Sequence, residues 1–140
     1  FGAPLSLVDH PDRAVRAGLG MLDEVKELNE QWRADGTVER WCKAGITELA
    51  IRIGIHTGPA VVGNVGSELR TKYAVVGDSV NVAARVEAMN KTLHTRILVT
   101  GATYSRLSQV VSDRFEEAGT HHVKGRIEPV RVLTERRQYV

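Results

Sequence analysis

Cysteine is nearly absent. Cys42 is the only one in 140 residues, which excludes an internal disulfide and fits a reducing compartment. Its simplest role is that of a small packing residue. Long apolar runs are missing too: no stretch approaches the roughly 20 residues of a membrane-spanning helix, and the N-terminus lacks a secretory-signal pattern. The expected location is therefore cytoplasmic, with no direct membrane contact in this segment, although a parent chain could be membrane-tethered. Neither sign of charge dominates. With 19 Lys and Arg against 17 Asp and Glu, the formal charge of +2 gives no ground for a nucleic-acid partner. Two nucleotide signatures also fail. Gly58 and Gly63 have phosphate-loop spacing, but Asn64 and Val65 stand where Lys and Ser or Thr are required, and no Gly-x-Gly-x-x-Gly occurs.

What remains suits one compact domain with a real core. Asp9-His-Pro-Asp12 is a helix start, with a capping residue and a proline in the first turn. Ala14, Val15, Gly18, Met21, Leu22, Val25, Leu28 and Trp32 then recur at three-to-four-residue steps, predicting an amphipathic helix that ends near Asp35-Gly36. Trp32 and Trp41 read as core residues, with interface anchors as the alternative. Residues Thr37 to Thr47 read as a connector with at most a short helical turn. Leu49 to His56 alternates, with Leu49, Ile51, Ile53 and Ile55 on one face, predicting a strand with one buried side. After the Gly58-Pro59 turn, Ala60 to Val65 reads as a second strand antiparallel to the first. Gly58, Gly63 and Gly66 are assigned to turns and close approaches, and His56 to a hydrogen bond at a strand end. Ser67 to Lys72 reads as a polar loop whose Arg70 and Lys72 are either solvated or near a polyphosphate.

The stretch Tyr73-Ala-Val-Val-Gly-Asp-Ser-Val-Asn-Val-Ala-Ala-Arg85 organises the chain. Tyr73 to Val76 is β-branched and reads as a strand; Gly77-Asp78 breaks it; a helix follows, with Asp78 or Ser79 as N-cap. Asn81 and Arg85, four apart, share one face near the helix's positive end, while Val82, Val86 and Met89 form an apolar stripe on another. An amide and a guanidinium beside a helix N-terminus make a cradle for phosphate, although the same spacing also describes a solvated polar face. Downstream, Ile97 to Val99 reads as a strand, Ala102 to Leu107 as a short helix, Phe115 to Val123 as extended, and Pro129 to Leu133 as a final strand. His121 and His122 fall on opposite faces and cannot easily share a metal.

Gly54-Ile-His-Thr-Gly58-Pro, Val62-Gly-Asn-Val-Gly66, the Tyr73–Arg85 block, Ile97-Leu-Val-Thr100 and Val123-Lys-Gly125 together resemble the class III nucleotidyl cyclases, the adenylyl and guanylyl cyclases. The resemblance covers nearly the whole chain. It implies an α+β, ferredoxin-like cyclase domain, a mainly antiparallel sheet with helices on one face. Phe1-Gly2 then corresponds to a pair that follows the second of two aspartate-bearing strands, so residues 1–140 are expected to be the C-terminal two-thirds of the catalytic domain, with the N-terminal strands missing. By the same resemblance Asn81 orients the ribose, Arg85 stabilises the α-phosphate in the transition state, and Lys124 binds the terminal phosphates. Base selection falls at Ala74, which lacks a polar side chain, and on backbone groups around Val75 and Val76. The implied cofactor is Mg2+ or Mn2+ on ligands upstream of Phe1, so this chain alone is expected to turn over little. The implied substrate is ATP, with GTP as the lesser expectation. The implied partner is a second copy or second cyclase domain in a head-to-tail dimer. A non-catalytic cyclase-like dimerisation or nucleotide-binding module is the competing expectation.

Overall fold

The computed structural model describes residues 1–67, 70–122 and 128–136. Helix α1 (His10–Ala34) opens with Pro11 in its first turn and stops where expected, with Asp35 as C-cap and Gly36 in the left-handed region at φ 77°. Asp9 occupies the N-cap position without capping. Its carboxylate takes Nε of Arg13 at 2.9 Å instead, a charge-assisted partner that outcompetes a backbone amide. The connector holds the short helix α2 (Thr37–Cys42).

Strand β1 (Ile53–Ile55) is shorter than the alternation suggests. The buried amide of Asn29 explains where it begins. Its Oδ1 accepts from Leu49 N and its Nδ2 donates to Leu49 O, both at 2.8 Å, so Leu49 is tied to α1 and not to a sheet. Asn29→Ala would leave both backbone groups without partners, and urea unfolding should show a loss of about 1–3 kcal/mol.

Strands β2 (Val61–Ser67) and β3 (Arg70–Val76) pair with each other, from Val61 opposite Val76 to Ser67 opposite Arg70. This corrects two expectations. The second strand does not return along β1, and of the polar segment Ser67 ends β2 while Arg70, Thr71 and Lys72 lie in β3 of a two-stranded sheet. Closing a hairpin locally costs less chain entropy than reaching back across Pro59, and β1 pairs elsewhere.

Helix α3 (Asp78–Leu93) leads to β4 (Ile97–Thr100), the short helices α4 (Gly101–Tyr104) and α5 (Gln109–Ser112), and strands β5 (Phe115–His121) and β6 (Val130–Glu135). The main sheet has the order β1-β4-β6-β5, parallel between β1 and β4 and antiparallel elsewhere. The α+β class and the largely antiparallel pairing agree with expectation, but helices cover both faces of this sheet. Ile97, Val99, Phe115 and Leu133 meet Val15 and Leu19 of α1 and Val111 of α5. Leu98, Val130 and Val132 meet Val82 and Val86 of α3, with Met89 and Leu93 alongside. The period-two alternation of β4, buried at every position, sends Leu98 into one core and Ile97 and Val99 into the other. Each such buried Val or Leu contributes about 1.5–3 kcal/mol.

Trp32 and Trp41 lie in neither core. They are half-buried and pack edge-to-face on each other, centroids 4.6 Å apart, joining the end of α1 to α2. Cys42 beside them is exposed, not packed.

Candidate functional site at the start of α3

Three fastenings set α3 on the sheet. In its middle the helix lies directly on Gly54 of β1: a Cβ there would fall well inside contact distance of Glu87 N and Ala83 O. At its C-terminal half, buried Asn90 donates to Ile53 O at 3.0 Å and accepts from Thr95 Oγ1 at 2.8 Å. At its start, Ser79 Oγ donates to Pro59 O at 2.7 Å. The N-cap is Gly77, not Asp78 or Ser79, and no side chain caps the helix. Gly77 has φ 150°, a conformation that favours glycine, and its backbone lies against Pro59 and Ala60. Ser79's hydroxyl is engaged by Pro59, and Asp78 places its carboxylate in the first turn, where the helix dipole favours it. None of these fastenings has a sequence pattern of its own. Gly54 and Asn90 become informative only once β1 and α3 are known to touch.

The expected site residues fall on one strand–turn–helix unit. Ala74, Val75 and Val76 end β3 opposite Gly63, Val62 and Val61; Ala74 is half-buried and the two valines are exposed. After Gly77, Asn81 emerges exposed in the first turn of α3 and Arg85 follows half-buried, about 6 Å further along the axis. Val82 and Val86, on the other face, are fully buried. Neither Asn81 nor Arg85 makes a hydrogen bond or ion pair with another described residue. A partly desolvated guanidinium paired with no described carboxylate attracts an anion, and the helix N-terminus adds positive potential. Lys124 lies outside the described residues.

Gly58 and Gly66 are close-approach residues as expected: a Cβ on the first would collide with Ser79 Oγ, and on the second with Arg70 O. Gly63 is not, since nothing lies within 4 Å of its Cβ position. His56 forms the expected strand-end hydrogen bond, with Nδ1 2.9 Å from Thr100 Oγ1. A cavity of about 850 Å3 lies at the far end of α3, around Leu93, His94 and Arg96, and includes neither Asn81 nor Arg85. Its lining mixes Lys26, Arg96, Arg114 and Arg136 with Asp23, Glu116 and Glu135, so it has no single charge to match a polyphosphate. Among the described residues no three His, Cys, Asp or Glu side chains converge as a metal-ligand set, and no helix is long and apolar enough to cross a membrane.

The family model of the adenylate and guanylate cyclase catalytic domain matches residues 1–139. Adenylate cyclase 1 of Rhizobium meliloti (strain 1021) is 37% identical over 126 residues, covering 90% of this chain and 17% of that protein. Adenylate cyclase 2 of the same organism is 34% identical, covering 88% of this chain and 33% of that protein. Among solved structures, the guanylyl cyclase Cya2 is 36% identical with a TM-score of 0.73, covering 96% of this chain and 62% of that one. The adenylyl cyclase CyaB from P. aeruginosa is 31% identical with a TM-score of 0.70, covering 99% of this chain and 65% of that one. The chain thus spans less than two thirds of each of these relatives.

Proposed function

Because this chain belongs to the adenylate and guanylate cyclase catalytic domain family, we propose that it supplies the ribose- and α-phosphate-binding half of a nucleotide-cyclising site. The observation that carries the proposal is the pairing of Asn81 with a half-buried Arg85, one turn apart at the start of α3 and engaged by no described residue. In the reaction the ribose 3′-oxygen attacks the α-phosphorus. The new O3′–P bond forms as the bond to the α,β-bridging oxygen breaks, pyrophosphate leaves with that oxygen, and the hydroxyl proton passes to water. Both reacting groups sit in one molecule, so orientation is a large part of catalysis. Asn81 holds the ribose by its amide, and the Arg85 fork takes charge developing on the α-phosphate oxygens. Lys124 binds the terminal phosphates as a mobile point charge. Ala74 to Val76 border the base.

The substrate proposed is ATP, supported by the similarity to the two adenylate cyclases; the likeness to guanylyl cyclase Cya2 makes GTP the comparison to run. Mg2+ or Mn2+ is part of the proposal, but the described residues do not form a site that fits it, and no step above depends on it. A second copy or second cyclase domain completes the site. Ala74, which offers the base no side-chain donor or acceptor, favours the other reading, a cyclase-like module that binds nucleotide or dimerises without turnover.

The test is an assay of the 140-residue chain with ATP and GTP separately, Mn2+ present, and cyclic product read by mass. Little or no product is expected from the chain alone. ATP should become the preferred substrate when the same segment is assayed within a complete cyclase domain. Cyclic GMP as the main product there would overturn the base assignment, and no product in that context would favour the non-catalytic module.

A further inference from the structure

Beneath the start of α3 lies a hydrogen-bonded cluster that the proposed reaction does not use. Thr100 closes β4 and is 1% exposed; Thr103 in α4 is fully buried. Their hydroxyls are 3.3 Å apart. Two consecutive residues after β1 fasten onto them, His56 through Nδ1 to Thr100 Oγ1 at 2.9 Å and Thr57 through Oγ1 to Thr103 Oγ1 at 3.1 Å. The other edge of the imidazole faces the next corner of the chain. A Cβ on Gly58 would stand 3.0 Å from His56 Nε2 and would collide with Ser79 Oγ, so Gly58 is sandwiched between the ring and the helix. Pro59 O takes the Ser79 hydroxyl, and the Gly77 backbone rests on Pro59 and Ala60. One continuous path of contacts therefore runs from the buried end of β4 through His56 and the Gly58-Pro59 corner to Ser79, two residues before Asn81.

We infer that His56 is a positioning residue: its ring, anchored by Thr100, sets the Gly58-Pro59 corner and through it the placement of the first two turns of α3. No hydrogen bond among the described residues joins it to Asn81 or Arg85, and in this reading it acts on them through the backbone. The inference rests on the proposed roles of those two residues for its consequence in catalysis, but not for its structural content. Fractions of an ångström at a helix start move an amide and a guanidinium away from a shared ligand, and misplacement of that order lowers turnover more than affinity.

The experiment compares His56→Leu, which keeps bulk and removes the hydrogen bond, with His56→Asn, which retains a polar atom near the position of Nδ1. Amide hydrogen exchange on the 140-residue chain is the first readout. His56→Leu should speed exchange at Val82, Ala83 and Ala84 about tenfold, while Leu98 and Val99 in β4 stay within about threefold of the parent. His56→Asn should recover most of the lost protection. Equal acceleration in α3 and β4, or none in α3, would overturn the inference. Kinetics within a complete cyclase domain are the second readout, where His56→Leu should lower kcat about tenfold with KM within about threefold. A KM effect with kcat unchanged would also overturn it. Selective loss of α3 protection in a complete domain that makes no cyclic nucleotide would uphold the structural role of His56 and sink the catalytic reading instead.

Discussion

Arg85→Ala is expected to cut turnover by about 100- to 1,000-fold in a complete cyclase domain, the scale on which removing one pre-placed donor to a developing oxyanion lowers kcat. Asn81→Ala should fall by a similar order through loss of ribose orientation. Two features separate this loss from a folding defect. Arg85 makes no hydrogen bond or ion pair with a described residue, and its neighbours Val82 and Val86 carry the packing. Chemical unfolding of Arg85→Ala should therefore stay within about 0.5 kcal/mol of the parent. Arg85→Lys restores the charge but not the planar fork, and should recover only part of the rate. A less than tenfold loss for Arg85→Ala would remove Arg85 from the α-phosphate.

Gly54→Ala carries the largest expected loss of stability. Its Cβ would meet the backbone of Glu87 and Ala83, not the flexible end of a side chain, so relief requires lifting α3 off β1. That displacement strains the Asn90 bond to Ile53 O and the 2.8 Å Arg52–Glu87 pair as well. Urea unfolding should show a loss of about 3 kcal/mol, the upper end for overpacking. Gly63→Ala is the matched control. With open space at its Cβ position, it should be neutral or stabilising by about 0.5 kcal/mol, through reduced freedom of the unfolded chain. A neutral Gly54→Ala would mean that the helix is not seated on β1.

The sequence made some of this legible and hid the rest for identifiable reasons. The 25-residue α1 and the valine stripe of α3 were readable because a helix repeats its pattern over several turns. The extent of β1 was not, since the alternation from Leu49 to Ile55 is equally compatible with a strand or with a segment held by one distant amide, and Asn29 is 20 residues away. The hairpin was half-read: Tyr73 to Val76 looks like strand, whereas Arg70 and Lys72 look like loop because both faces of that ribbon carry exposed residues. The helices on two faces escaped because Ile97 to Thr100 shows no alternation of its own, being apolar or small on both sides. Gly77 in place of Asp78 or Ser79 as N-cap shows a different limit. Residues with capping chemistry can be drawn to other partners, and only the fold reveals which. For the proposed site, spacing puts Asn81 and Arg85 on one helix face and only the family resemblance gives them roles, while the partner of His56 is not legible, since Thr100 reaches it from a strand end 44 residues away.

Strand β4 has one further consequence. All four of its residues are at most 1% exposed, and Leu98 enters one core while Ile97 and Val99 enter the other. Loosening either core withdraws packing from the same four-residue rod, so damage on the α1 side is transmitted to the α3 side without passing through solvent. The two cores are therefore a single cooperative unit in melting, and a cavity cut into one lowers the transition temperature of both.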